Sequence, residues 1–303
     1  MCVACALAAV LPLASGTPPE VFPQTPDPWP LPRAGVSLTW TGVAGFVLEA
    51  EGVRIAFDPF VTRPGLFATL FRRAASDRDL VARHLPPLDA VFVGHTHFDH
   101  ALDLESIAAL SPACRFHGGG TAVELGRRRG MAPARLVEAK DGEVVEVGPF
   151  RVEPIRSAHG LVPVVRFVDR ATLPATGVPR TPFRWPMGEP FAFRVDVRGR
   201  SFHVQGSAGL VDASLARLRP TDVLVACLAA RRGTPRYLER LGERLAPKVL
   251  MPCHHDDFFR PLAEPPRPIA TLRWPAFLGE AQALARAHGT TLVRPTRLAR
   301  VEA

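Results

Sequence analysis

The sequence predicts an α/β fold in which two layered αβ halves stack into one domain. Three observations carry this expectation. Short apolar runs begin at Gly35 and recur at regular spacing. In each half a set of such strand-like runs is followed by helical segments. Residues 88–94 form a nearly unbroken apolar run that ends at a histidine, the pattern of a strand covered on both faces.

Residues 36–40 alternate apolar and polar, as a half-buried strand does. Two further runs, 45–49 and 53–57, flank Glu51-Gly52, a hairpin signal. After the buried strand at 88–94, residues 102–110 and 121–129 read as helices. The second half carries strands at 143–147, 150–156, 191–198 and 201–205. A helix at 212–218, a strand at 222–228, a helix at 235–245 and a strand at 248–253 follow. The last helix, 277–288, stops at His288-Gly289, where glycine supplies the left-handed C-cap. No short-period repeat is evident.

With 303 residues, 47% apolar and 22% charged, the chain suits a large folded core rather than a disordered one. Its 32 prolines gather at 18–34, 163–190 and 261–275, marking a tail and loops. The first 34 residues divide into an apolar stretch and a Pro-rich linker, and residues 35–303 form the domain. Residues 1–20 carry three open readings: a signal peptide, the end of a membrane anchor, or a buried N-terminal segment. Localisation, whether cytoplasmic, exported or membrane-associated, follows whichever of these holds.

The net charge is +8, and Lys140 and Lys248 are the only lysines among 37 basic residues. Such a surplus fits an anionic substrate or lipid surface, or else reflects arginine-rich coding DNA spread over solvated faces. No block of five like charges occurs, so nucleic acid is not an expected partner. Cys2, Cys5, Cys114, Cys227 and Cys253 are too scattered for a disulfide framework, and Cys2-x-x-Cys5 lacks a partner motif.

The chemistry concentrates in His95-Thr96-His97-Phe98-Asp99-His100, directly after the buried strand. Imidazole and carboxylate are the common protein ligands of Zn²⁺ and related ions. Alternate residues of an extended loop point the same way, so His95 and His97 can grip one ion while Asp99 and His100 face a second. With ten histidines in the chain, chance yields such a hexapeptide on the order of once in a thousand chains. His84 and His203 read as surface or strand positions, His117 as a residue before a glycine turn, and His288 as a helix end.

This H-x-H-x-D-H run resembles the signature of the metallo-β-lactamase superfamily, over about residues 35–295. The resemblance implies the four-layer αβ/βα sandwich of that fold and a metal-dependent hydrolase. It implies that His159, within Ser157-Ala158-His159-Gly160, completes a first metal set with His95 and His97. His254, within Cys253-His254-His255-Asp256, would complete a second with Asp99 and His100, His255 being the alternative. Asp58, within Phe57-Asp58-Pro59, resembles the early aspartate that buttresses the ligand loop. One position departs: many relatives carry Gly-Asp, the aspartate bridging both metals, where this chain has Gly206-Ser207. A hydroxyl does not replace an anionic bridge, so both two ions and one remain open.

The implied mechanism uses a metal-bound water, its pKa lowered towards about 7, to attack a carbonyl carbon or phosphorus. Asp99 would orient this nucleophile and take its proton; Ser207 would hydrogen-bond it or serve only as a turn residue. Zn²⁺ is the expected ion, one or two per chain, with Mn²⁺ or Fe²⁺ as substitutes. Thr39-Trp40-Thr41-Gly42 and His254-x-Asp256-x-Phe258 look closest to the branch with ascorbate-phosphate lactonase and phospholipase-D-like enzymes. That branch implies a small-molecule or lipid-like substrate with a lactone, phosphodiester, ester or amide bond. A metal-binding protein without turnover is the alternative. Two insert-like segments flank the ligand loops: 59–73 with Phe60, Leu66, Phe67, Leu70, Phe71 and Arg72-Arg73, and 161–190 with Phe167, Phe183, Trp185 and Met187. They read either as an apolar lid for a lipid-like substrate at a membrane surface or as aromatics packed into the core.

Overall fold

The computed structural model describes residues 27–71, 75–161, 171–181, 184–269 and 272–303. The N-terminal apolar stretch, with Cys2 and Cys5, therefore lies outside the described residues, as do Arg72-Arg73, Phe167 and Phe183.

Two seven-stranded sheets face each other. The first half supplies β1 (Ser37–Gly42), β2 (Gly45–Ala50), β3 (Val53–Phe57), α1 (Leu66–Phe71), α2 (Arg78–His84), β4 (Ala90–Phe92), α3 (Phe98–Ala101), α4 (Leu104–Leu110), β5 (Arg115–Gly118), α5 (Gly120–Arg128) and β6 (Leu136–Glu138). The second half supplies β7 (Val145–Val147), β8 (Phe150–Arg156), β9 (Phe191–Val197), β10 (Arg200–Gln205), α6 (Asp212–Ala216), β11 (Val223–Cys227), α7 (Tyr237–Leu245), β12 (Val249–Cys253), α8 (Trp274–His288), β13 (Thr291–Leu292) and β14 (Arg300–Glu302). The strand orders are β14-β1-β2-β3-β4-β5-β6 and β13-β12-β11-β10-β9-β8-β7.

Each half begins as an antiparallel meander and continues as parallel strands joined through helices. Parallel pairing needs crossovers, and these place helices on the outer faces. Alternation then sorts the side chains. Phe46, Leu48, Phe57 and Phe92 join the core shared with the second sheet, while Val47, Ala56 and Val91 join the core beneath α2 and α4. Phe193 of the second sheet lies 5.4 Å from Phe57 and 5.6 Å from Phe92 between ring centroids, which locks sheet to sheet. The layers are helix, sheet, sheet, helix, an α/β sandwich.

Several elements differ from the sequence reading. The helices α1 and α2 and the strands β5, β6, β13 and β14 were not expected; most are short or carry little periodicity. His84 closes α2, and His117 lies within β5, buried and stacked on Phe92 at 4.8 Å. His203 takes the strand alternative of its two readings, buried within β10. Residues 27–34 form no helix or strand, yet Trp29, Leu31 and Ala34 pack on the core and Ala34 N donates to Ala303 O. Among the described residues, no helix is long and apolar enough to cross a membrane.

Candidate metal centre

The strand β4 delivers its chain to the junction between the two sheets, and the ligand loop starts there. Gly94 N donates to Asp58 Oδ1 at 2.6 Å. A Cβ on Gly94 would stand 2.6 Å from Asp58 Oδ2, and one on Gly206 would stand 2.6 Å from the same oxygen. Only glycine permits both approaches, so the Asp58 carboxylate sits between one glycine from each half. From there Oδ2 reaches His100 Nδ1 at 2.9 Å. Asp58 itself follows β3 with φ of 42°, the left-handed region that aspartate tolerates better than most residues.

After Gly94 the loop is held from outside by the second insert. Thr96 N donates to Met187 O at 2.8 Å, Thr96 Oγ1 to Pro186 O at 2.6 Å, and Phe191 N to Gly94 O at 2.7 Å. His97 occupies the N-cap position of α3, whose single turn carries Asp99 and His100 after Phe98.

Two groups of three donors result. One ligand atom each from His95, His97 and His159 lie within 4.8 Å of one another, and so do those of Asp99, His100 and His254. His95 Nε2 stands 3.2 Å from His97 Nδ1, and His254 Nε2 stands 3.2 Å from Asp99 Oδ2. Donors bound tetrahedrally at about 2.0–2.1 Å from one ion stand about 3.3 Å apart, so these spacings suit a shared ion. His100 Nε2 is 3.9 Å from Asp99 Oδ2, leaving its Nδ1 for Asp58.

The electrostatics suit a cation as well. Burial pushes the pKa of His95 and His97 well below the usual imidazole range, and neighbouring histidines push the same way. His159 falls to about 4, again first through burial. Neutral imidazoles present lone pairs, and three converging lone pairs repel unless a positive charge lies between them. Burial pushes Asp99 up, but His100 and His254 outweigh it and hold the carboxyl well below its ordinary range. Burial pushes His100 down, but Asp58 and Asp99 together raise it.

Sequence reasoning left His254 and His255 as alternatives, and the structure separates them. The ring of His254 faces Asp99 and His100, whereas that of His255 stacks on Trp40 at 4.6 Å and is fully buried. Successive residues at a strand end point to opposite sides. His255 therefore packs in the core and belongs to neither donor group.

Ser207 is buried in the loop after β10. This loop runs from Gly206, beside Asp58, to Gly209, whose N donates to Ala158 O at 3.0 Å. It therefore spans from the support of one ligand set to the flank of the other.

The sequence reading passed over Asp256 as a structural residue. Buried completely, Asp256 accepts from Val43 N at 2.9 Å and Arg63 Nη2 at 2.6 Å, which ties the β1–β2 turn to the His254 loop. His254 N adds a bond to Val43 O at 2.6 Å. Asp103 was also missed: it accepts from Val61 N and Thr62 N at 2.7 and 2.8 Å and pins the first insert. A buried acid beside a histidine ligand was the available signal for Asp256; nothing in the sequence marked Asp103.

The inserts are more firmly packed than an open lid. Phe60 is fully buried against Phe98, with ring centroids 5.9 Å apart, and Trp185 is fully buried with Arg129 over its ring at 4.8 Å. Phe67, in contrast, is 65% exposed.

A family model described as a beta-lactamase superfamily domain matches residues 53–255. A UPF0173 metal-dependent hydrolase from Cupriavidus necator is 28% identical over a stretch covering 65% of this chain. That stretch spans 64% of the relative's own length, a little under two thirds. Among solved structures, Igni18, a metallo hydrolase from Ignicoccus hospitalis, superposes with a TM-score of 0.56 at 17% identity, covering 88% of this chain and 99% of its own. CmlA, a diiron beta-hydroxylase from Streptomyces venezuelae, superposes with a TM-score of 0.57 at 15% identity, covering 91% of this chain and 55% of its own. These two likenesses are of fold.

Proposed function

The chain belongs to the beta-lactamase superfamily domain family, and on that premise we propose that it is a metal-dependent hydrolase acting on a lactone, phosphodiester, ester or amide. The observation that carries this reading is the pair of three-donor groups built on one hexapeptide, with His159 and His254 arriving from the other half. His95, His97 and His159 would hold one ion, and Asp99, His100 and His254 a second. Zinc suits the mixed imidazole and carboxylate donors, with manganese or iron as substitutes. Ions bound there supply Lewis acidity towards water and substrate oxygen.

The chain's own groups do the rest. Asp99, held ionised by His100 and His254, would accept a hydrogen bond from the attacking water and orient it. Asp58 keeps the His100 ring turned so that Nε2 faces the ligand group. Both ligand sets are buried except for partly exposed His159, which leaves that side for substrate approach. The exposed Phe67 supports a lipid-like or acyl substrate class.

A second reading, metal binding without turnover, is favoured by Ser207, which stands where many relatives carry an anionic bridge. One experiment tests both. Purified protein is reconstituted with zinc, its metal content measured, and turnover assayed on a panel of lactones, esters and phosphodiesters. One to two equivalents with turnover is the expected result. Two equivalents with no turnover on the panel favours the second reading. Less than about a tenth of an equivalent after reconstitution overturns both.

A further inference from the structure

A buried polar network joins the segment that leads to His159 with the loop after β10. It starts at His203 in β10, whose Nε2 lies 3.2 Å from Gln205 Oε1. The other end of the Gln205 amide donates from Nε2 to Ser207 O at 2.7 Å, Ser157 Oγ at 2.8 Å and Gly209 O at 3.1 Å. Ser157 Oγ in turn donates to Gly209 O at 3.2 Å. All three side chains are buried, His203 at 1%, Gln205 at 2% and Ser157 at 7% exposure.

The orientation of the amide follows from its surroundings. Two carbonyl oxygens accept only, so the NH₂ end must face them and Oε1 must face His203. Two amide hydrogens are shared among three acceptors, so removing the amide withdraws a donor from all three buried groups at once.

What the amide ties together is specific. Ser157 lies two residues before His159, and Ser207 and Gly209 belong to the loop that begins beside Asp58. A Cβ on Gly160 would stand 3.3 Å from Ala208 Cβ, so this loop packs on the turn that carries His159. His95 and His97 have their own anchors through Gly94 and Thr96. We propose that Gln205 is a positioning residue for the three-histidine set: its amide fixes the His159 turn against the loop after β10 and so sets the third donor. This rests on the metal-binding reading above. The second set has its own anchors in Asp58, Val43 and Asp256, and the clamp reaches it only through the backbone of Gly206 beside Asp58.

The test is a cobalt(II) titration of wild type, Gln205→Met and Ser157→Ala, followed by visible absorption with a competing chelator. His159→Ala and His254→Ala assign the absorption of each set. Gln205→Met keeps the side-chain length and removes every hydrogen bond. The cobalt dissociation constant of the His159 set should rise on the order of ten- to a hundredfold in Gln205→Met, with that of the His254 set within about twofold, as loss of an outer partner to a ligand does elsewhere. Ser157→Ala should shift the same set in the same direction, and the double variant should be no worse than Gln205→Met alone. Equal weakening of both sets, or a lowered melting temperature with both affinities unchanged, overturns the proposal. Should Gln205→Met fail to fold, Ser157→Ala decides alone by the same criteria. Failure of wild type to take up cobalt overturns the metal reading itself, whereas wild-type uptake with unaltered variants overturns only the clamp.

Discussion

Asp58 Oδ2 meets His100 Nδ1 at 2.9 Å while two glycines, one from each half of the chain, close on the same carboxylate. The room available to this acid is therefore set by backbone, and it can be tested without touching a ligand. In Gly94→Ala or Gly206→Ala the added methyl would fall 2.6 Å from Asp58 Oδ2. Both variants should lose about 1–3 kcal/mol of stability and weaken metal at the Asp99–His100–His254 set. Chemical denaturation and metal titration measure the two effects, and native behaviour in both would separate Asp58 from the site.

Ser207→Asp should tighten metal binding. The loop carrying Ser207 reaches from Asp58 to the His159 turn, and an anionic oxygen coordinates more strongly than a hydroxyl. Slower metal loss to a chelator is the expected outcome. Unchanged loss would place this side chain out of reach of both ions.

Acid should destabilise the metal-free protein well before its carboxylates titrate. Burial holds His203 and His255 at about 4, against an ordinary 6.5. The unfolded chain therefore binds more protons between those values, and stability falls as pH drops from about 6.5 towards 4. Each group accounts for up to about 3 kcal/mol across that window. The melting temperature of apo protein should decline over this range, and His255→Phe, which preserves stacking on Trp40, should flatten the slope. A pH-independent melting temperature from 7 to 4.5 would contradict the neutral state of both rings.

A second acid-sensitive step should appear lower. Burial raises the Asp256 carboxyl, but Arg63 and His255 outweigh it and bring it down to about 2. Its stabilisation is complete above the ordinary carboxylate value and is lost as pH falls from about 4 towards 2. Asp256→Asn removes that step but leaves Arg63 buried without its counter-charge, at a cost of about 3–5 kcal/mol near neutral pH. Denaturation at pH 7 and at pH 3 distinguishes the two consequences.

The two inserts separate into packing and exposed parts. Deleting 181–188 removes the fully buried Trp185, so melting temperature should fall and all substrates should suffer alike. Phe67→Ser removes an exposed ring and should leave the melting temperature nearly unchanged. If a lipid-like substrate lies across α1, this variant should raise KM for long acyl substrates far more than for short ones. Equal KM values for both would remove Phe67 from substrate binding.

The layered halves and the ligand hexapeptide were legible in the sequence because both are local. Strand periodicity and a run of donors need no knowledge of distant residues. His95, His97, Asp99 and His100 announce themselves, while His159 and His254 were reached only through resemblance and order along the chain. Choosing between His254 and His255 needed the direction of β12 at its end, which spacing alone does not give. Gln205 was invisible for a different reason: its meaning lies in Ser157 and Gly209, brought beside it by the sheet. The aromatic inserts stayed open between lid and packing because Trp185 and Phe67 look alike in composition and differ only in what covers them.

Each ligand group also has a topology. The first joins residues 95 and 97 to 159, and the second joins 99 and 100 to 254. These spans interleave along the chain rather than lying side by side, so two bound ions would act as crossed staples between the halves. Closing such loops removes freedom from the unfolded chain, as disulfides do in small secreted proteins. The described cysteines of this chain, Cys114, Cys227 and Cys253, are buried and free. Ions would give the same kind of cross-linking with no dependence on redox state, and their withdrawal would loosen the join between sheets as well as stop the chemistry.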